Sequence, residues 1–248
     1  MVDNLAHWSG GSWSYRPVED DILSVTQDTR MIGPGMLYVA LVGERYDGHD
    51  YVREAFQKGA VAALVSESYL GKEPGLLFVQ DPLVALHKIG AAYRRSWSGR
   101  AIGITGSVGK TTVKELCSVV MGEADDVHKT LGNYNNHIGV PLTLLGLKER
   151  HQWAVVELGM NHPGEIKPLA EMMKPEIGII TDLGAAHRAH FNSMEAIVNE
   201  KADLLRVLPK NGTAILMRNE VWYEMLSNQT DATVVDVGLD IEATIQGS

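Results

Sequence analysis

The octapeptide Thr105-Gly106-Ser107-Val108-Gly109-Lys110-Thr111-Thr112 constrains this chain more than any other stretch. The apolar run Ala101-Ile102-Gly103-Ile104 leads into it and predicts a buried strand. Val113, Leu116, Cys117, Val120 and Met121 follow at helical spacing and predict one apolar helix face. Strand, glycine turn, lysine, threonine and helix together make a phosphate-binding arrangement. The glycines let backbone N–H groups turn toward an anion, and the helix start adds its positive dipole end. Lys110 is expected to reach outer phosphates, and the Thr111 hydroxyl is expected to hold Mg2+. The spacing is G-x-x-G-K-T-T, because Ile104 stands where the longer form of the motif has its first glycine. A glycine turn capping a helix with a surface lysine is the plainer alternative.

Around this centre the chain reads as two α/β domains, residues 1–96 and 97–248, parted by the polar stretch Ser96-Trp97-Ser98-Gly99-Arg100. The first has predicted strands over 36–42, 61–65 and 76–79, with helices ending near Lys58 and Arg95. In the second, predicted strands lie at 101–105, 127–130, 153–157, 177–181, 213–217 and 232–237. Helices over 110–121, 138–147, 164–173, 193–208 and 219–227 alternate with them. That alternation predicts a doubly wound parallel sheet with ligands at the carboxyl ends of its strands. The tail from Asp240 to Ser248 has no evident closing element. A net charge of −9 argues against nucleic-acid binding, so an anionic ligand must be drawn by local positive groups. The single cysteine, Cys117, fits a reducing compartment and reads as a buried small side chain. No membrane-spanning run or leader segment is evident, so the expected location is the cytoplasm.

Several polar residues fall at the predicted strand ends. Glu157 closes the run Trp153-Ala154-Val155-Val156 and is placed to hold Mg2+ beside the phosphate loop, against the alternative of an exposed strand-end carboxylate. His187 lies in a loop after the strand at 177–181, and its spacing alone leaves its role open. Ser193 is a predicted helix cap. Lys201 shares the inward stripe of that helix with Ile197, Val198, Leu204 and Leu205. A buried lysine tends to lose its charge, and then a salt bridge, a snorkelling path or carbamate formation with carbon dioxide are the options. Asn133, Asn135, Asn136 and His137 form a polar loop suited to a sugar phosphate or to nucleotide phosphates, or else a set of Asx turns and a helix cap. Asn219 follows the strand at 213–217 as a nucleotide candidate. Thr29-Arg30, in a turn of the first domain, reads by itself as a solvated pair.

Taken together these stretches resemble the Mur ligases of peptidoglycan synthesis. The resemblance rests on TGSVGKTTVKE (105–115), GNYNNHIGVPLTLL (132–145), VVELGMNHPGEI (155–166), residues 180–187, Lys201, DTRMIGPGMLYVALV (28–42) and DGHD (47–50). Within the family, NYNNHIGVP is similar to the branch that joins D-alanyl-D-alanine to a UDP-N-acetylmuramoyl-tripeptide. The resemblance implies a small UDP-sugar-binding first domain and an ATP-binding central domain. The implied reaction is ATP-dependent amide ligation through an acyl phosphate. Residues 105–112 would then hold ATP phosphates, Asn219 would lie near adenine, and Thr29 and Arg30 would bind uridine. Asn133, Asn136 and His137 would serve substrate and phosphates. Thr111 and Glu157 would hold one Mg2+, and His187 with a carbamylated Lys201 would surround a second. The implied catalytic set is Lys110, Glu157, His187 and Lys201, in a monomer.

The chain departs from the family pattern at Val108, often Asn, at Arg188-Ala189-His190-Phe191-Asn192, usually acidic and glycine-containing, and at Asp203, commonly Glu. The family also has a third domain, so the expectation is that this chain ends inside the central one and turns over poorly alone. Two alternatives remain: a non-catalytic nucleotide- or UDP-sugar-binding module, or a folylpolyglutamate synthase-like or cyanophycin synthetase-like ligase of the same superfamily.

Overall fold

Runs of β-branched and small apolar residues form two separate parallel sheets. In the computed structural model, residues 2–17, 22–184, 191, 193–218, 221–239 and 243–247 are described. The chain divides into two compact units, Met1–Arg95 with Leu144–Gly146, and Ser96–Thr143 with Leu147–Ser248.

The first unit holds α1 (Val2–Ser9), β1 (Ser12–Trp13), β2 (Ser24–Thr26), β3 (Met36–Val39), α2 (Val52–Gln57), β4 (Ala60–Ser66), β5 (Leu76–Val79) and α3 (Pro82–Ser96). Its sheet runs β1-β5-β4-β3-β2, parallel except for the antiparallel edge strand β1. β4 is a continuous apolar run because Ala62–Val65 are fully buried. Asp81 starts α3 by accepting from the Leu83 and Val84 N–H groups at 2.8 and 3.1 Å, with Pro82 preset at the first helical position.

The second unit holds β6 (Arg100–Thr105), α4 (Lys110–Gly122), β7 (Val127–Lys129), α5 (Gly139–Leu145), β8 (Trp153–Glu157), α6 (Ile166–Met173), β9 (Ile177–Ile180), α7 (Met194–Arg206), β10 (Thr213–Met217), α8 (Tyr223–Ser227), β11 (Thr233–Gly238) and β12 (Ile245–Gln246). The sheet order is β12-β11-β10-β9-β6-β8-β7, and every pairing is parallel. From β6 the chain moves outward to β7 and back to β8, then crosses to β9 on the other side. The order therefore reverses at β6, which opens a crevice at the carboxyl ends of β6, β8 and β9. Ile179 and Ile215 face α4, while Ile180, Ala214 and Leu216 face α7 and α8, so the sheet is covered on both faces. A Cβ at Gly103 would stand 2.7 Å from Leu204 and 2.9 Å from Met173, so glycine lets α6 and α7 lie close to the central strand.

Three expectations need correction. On α4 only Val113, Cys117 and Met121 pack against the sheet; Leu116, Val119 and Val120 are exposed. Lys114 and Ser118 take the buried arc instead, because hydrogen bonds satisfy both polar ends there. Cys117 is half-buried. The tail also carries a closing element: β12 extends the sheet beside β11.

His128 and His151 stack at 5.1 Å between ring centroids. His128 Nε2 meets the Thr143 carbonyl at 2.8 Å, and His151 Nδ1 accepts from the Lys148 N–H at 3.0 Å. Burial pushes both imidazoles below the ordinary histidine range. The unfolded chain thus binds more protons than the fold below about pH 6.5, so stability falls on acidification from there through the lower folded values. Chemical denaturation is expected to show this loss between pH 6.5 and 5, reduced in His128→Gln; an unchanged slope would exclude His128 as a contributor.

Candidate functional site

The crevice is built by three strand ends. After β6 the chain turns through Gly106 at φ 151° and Gly109 at φ 86°, which starts α4. At Gly106 a Cβ would lie 1.9 Å from Thr181 Oγ1. That closeness exists because the loop rests on the segment after β9. Thr181 Oγ1 donates to the Val108 carbonyl at 2.6 Å, and Ser107 Oγ donates to the Gly184 carbonyl at 2.8 Å. The Ser107 and Val108 N–H groups donate to the Asp182 carbonyl at 2.8 and 3.3 Å. The first-turn amides of α4 lack intrahelical partners, as at any helix start, and Thr111 and Thr112 there are exposed. Thr105 is fully buried and ties β6 to the segment after β8 through the Leu158 carbonyl at 3.0 Å.

Two ammonium groups converge on one carbonyl. Lys110 Nζ donates to Gly106 O at 2.8 Å and to Ser107 O at 3.3 Å. Lys201 Nζ donates to the same Gly106 O at 3.0 Å. Lys201 is 1% exposed, held inward by α7, which Ser193 caps through Oγ on the Ala196 N–H. Burial, then the charge of Lys110, push the Lys201 amine down to about 7, opposed by Glu200. Burial also lowers Lys110, with Glu157 opposing. Glu200 accepts from the Gly164 and Ile166 N–H groups at 2.8 and 2.9 Å, which pins the loop before α6 beside Lys201.

Glu157, at the end of β8, is 2% exposed. Thr111 Oγ1 donates to its Oε2 at 2.8 Å and Asn135 Nδ2 donates to its Oε1 at 2.7 Å. A buried carboxylate beside a hydroxyl supplies two hard oxygen donors of the kind Mg2+ takes. Among the described residues no three His, Cys, Asp or Glu side chains gather as a cluster of their own.

Of these groups, Lys110, Lys201 and Asn135 border a cavity of 220 Å3. His137, Asn161, His162 and Glu165 line it as well. Asn136 also lines it, but its Oδ1 accepts from the Ile138 and Gly139 N–H groups and so caps α5. Asn133 is exposed and is not among the lining residues. His187 and Asn219 lie outside the described residues.

Sequence reasoning counted Asn135 among the polar side chains of the NYNNH run but gave it no part beside Glu157. It also passed over Thr181 and Glu200, whose one available signal was a polar residue at a strand end or on an apolar helix face.

In the first unit, Thr29 and Arg30 sit on a single 3-10 turn capped by Asp28. They border a separate cavity of 560 Å3 with Tyr38, Tyr46 and Tyr51. The Arg30 guanidinium grips the Asp28 carboxylate at 2.6 to 3.1 Å and lowers it to about 2.

Residues 104–248 match the Mur ligase middle domain, and residues 21–82 match the Mur ligase family, catalytic domain. The chain belongs to the Mur ligase family. The middle-domain match takes in every strand end that builds the crevice of this Mur ligase chain. A UDP-N-acetylmuramoyl-tripeptide–D-alanyl-D-alanine ligase of Synechocystis is 40% identical over 91% of this chain and 51% of its own length. One from Escherichia coli is 41% identical over 78% of this chain and 42% of its own. Crystal structure I of MurF from Acinetobacter baumannii superposes with a TM-score of 0.89 at 30% identity, over 96% of this chain and 53% of that one. MurF from Thermotoga maritima in complex with ADP gives 0.80 at 26% identity, over 90% and 52%. The chain spans about half the length of the curated relatives it matches. No helix among the described residues is long and apolar enough to cross a membrane.

Proposed function

We propose that this chain carries the nucleotide and UDP-sugar sites of a ligase that joins D-alanyl-D-alanine to UDP-N-acetylmuramoyl-tripeptide using ATP. One observation carries the reading: Lys110, Lys201, Thr111, Asn135 and Glu157 meet at the switch point of a parallel sheet, behind a glycine turn. A carboxylate accepts an amine poorly until phosphorylated, and phosphoryl transfer needs positioning and cations more than covalent groups. Loop amides and Lys110 supply cations and donors for ATP phosphates. Thr111 and Glu157 would hold Mg2+, which spreads and neutralises phosphate charge when bound. By the same reading His187 would surround a second metal together with Lys201, and Asn219 would serve the adenine. Asn133, Asn136 and His137 serve substrate, and Thr29 and Arg30 bind uridine. Residues 1–96 and 97–248 form the two corresponding domains of a cytoplasmic monomer.

Lys201 is proposed to react with carbon dioxide. With its amine pushed down to about 7, much of it is the free base at neutral pH, the form that attacks carbon dioxide. In 13C-bicarbonate at pH 8, a carbamate resonance is expected in the wild-type chain and not in Lys201→Arg; its absence from the wild type would refute the modification.

A second reading is a nucleotide- or UDP-sugar-binding module without turnover. Calorimetry with UDP-N-acetylmuramoyl-tripeptide, against the dipeptide form, tests the substrate assignment common to both readings. Selective binding of the tripeptide form is expected. Equal or absent binding in folded protein would remove the substrate assignment.

A further inference from the structure

We propose that Lys114 is a positioning residue that sets Glu157 against the phosphate loop through Thr130. The proposal rests on the reading of Thr111 and Glu157 as a nucleotide-metal site.

Lys114 lies one turn beyond Thr111 on α4 and is 1% exposed, although it is a lysine. Its Nζ donates to the Thr130 carbonyl at 3.0 Å and pairs with Glu115 Oε1 at 2.9 Å. Glu115 in turn pairs with Lys129, so the cation is balanced at its outer end. Thr130 is fully buried at the end of β7, and its N–H donates to the Val155 carbonyl at 3.1 Å. Its hydroxyl oxygen accepts from the Glu157 N–H at 3.0 Å. The Glu157 carboxylate then meets Thr111 at 2.8 Å.

The loop of contacts thus closes on itself: α4 presents Thr111 to the carboxylate and, one turn later, Lys114 to the strand end that holds the same residue's backbone. A buried cation is costly without partners, and an apolar side chain would fill the same space without that cost. The charge earns its place by tying the carbonyl of Thr130 to the helix that carries Thr111. Groups that orient a metal ligand without touching the metal commonly change metal affinity by tenfold or more.

The test is calorimetric binding of ADP to the full chain, with Mg2+ and with EDTA, for wild type, Lys114→Met, Thr130→Val and Thr130→Ser. Wild type is expected to bind ADP more tightly with Mg2+. Lys114→Met and Thr130→Val are expected to lose roughly tenfold of the Mg2+-dependent affinity while binding in EDTA stays within about twofold. Thr130→Ser keeps the hydroxyl and is expected to behave as wild type. Faster hydrogen exchange at the Glu157 amide is expected in both disrupted variants, and it gives a readout without nucleotide. Retained Mg2+ enhancement in Lys114→Met and Thr130→Val would overturn the positioning role alone. Equal losses with and without Mg2+, alongside a lowered melting temperature, would reduce Lys114 to a structural residue. No Mg2+ enhancement in wild type would overturn the site reading and this proposal with it. If Lys114→Met does not fold, Thr130→Val against Thr130→Ser decides.

Discussion

Lys110→Ala is expected to weaken ATP binding by about 100-fold or more and to leave UDP-sugar binding within about twofold. Removing one partner of a desolvated charge pair costs about 2–5 kcal/mol, and each 1.36 kcal/mol is a factor of ten. Two features place Lys110 within that range. Burial already lowers its pKa, so its charge sits in poorly solvated surroundings, and its Nζ borders the cavity beside Lys201. The fold is expected to tolerate the change, because the Gly106 carbonyl keeps Lys201 as a donor and Ser107 is only partly buried, so water can reach its carbonyl. The two cavities belong to different units, which is why the two ligands separate the effects. Parallel titrations with ATP and with the UDP-sugar check this. Equal losses for both ligands would point to unfolding, and an unchanged ATP affinity would remove Lys110 from the site.

Gly106→Ala is expected to destabilise the second unit by about 2–4 kcal/mol and to abolish nucleotide binding. The added methyl would stand 1.9 Å from Thr181 Oγ1, 3.0 Å from Thr181 Cβ and 3.2 Å from Thr181 N, at a φ of 151°. The clash is not with a flexible tip. Thr181 is fixed by its own N–H on the Thr105 carbonyl and by Oγ1 on the Val108 carbonyl. The loop must therefore leave the segment after β9, and Ser107 and Val108 lose their acceptor. Gly109→Ala is the useful comparison, since its Cβ meets nothing closer than 3.9 Å and only its φ of 86° is strained. Denaturation should rank Gly106→Ala well below Gly109→Ala. Equal stabilities would mean that the loop is not docked on Thr181.

Much of the second unit was legible because strong local signals agreed. The apolar runs at 153–157 and 213–217 became strands at those bounds, and the run at 101–105 became one that starts a residue earlier, at Arg100. The stripe around Lys201 put it where desolvation acts. What sequence pattern lost was whatever tertiary hydrogen bonds decide. Leu116 and Val120 fit the helical period as well as Cys117, yet the buried arc of α4 turned toward Lys114 and Ser118, whose polar ends are satisfied by distant carbonyls. Asn136 and Asn135 are neighbours of one type, but one is spent on capping α5 and the other reaches Glu157. Nothing in their spacing separates them. β1 and β2 were too short to carry a periodic signal, and β12 at two residues forms because β11 offers an edge.

The sharing of the Gly106 carbonyl by two lysine amines means that the loop meets a phosphate by exchange. Lys110 already has carbonyl acceptors, and the Ser107 and Val108 amides are taken by Asp182. An oxygen that takes Lys110 or those two amides therefore displaces a bond for each one it makes, while the first-turn amides of α4 add donors that have no intrahelical partner. What changes is the charge of the acceptor, since a bond to an anion is worth about twice a bond to a neutral carbonyl. Such a loop discriminates by ligand charge. A polyphosphate outcompetes the internal carbonyls, whereas a nucleoside without phosphates leaves the loop closed on itself.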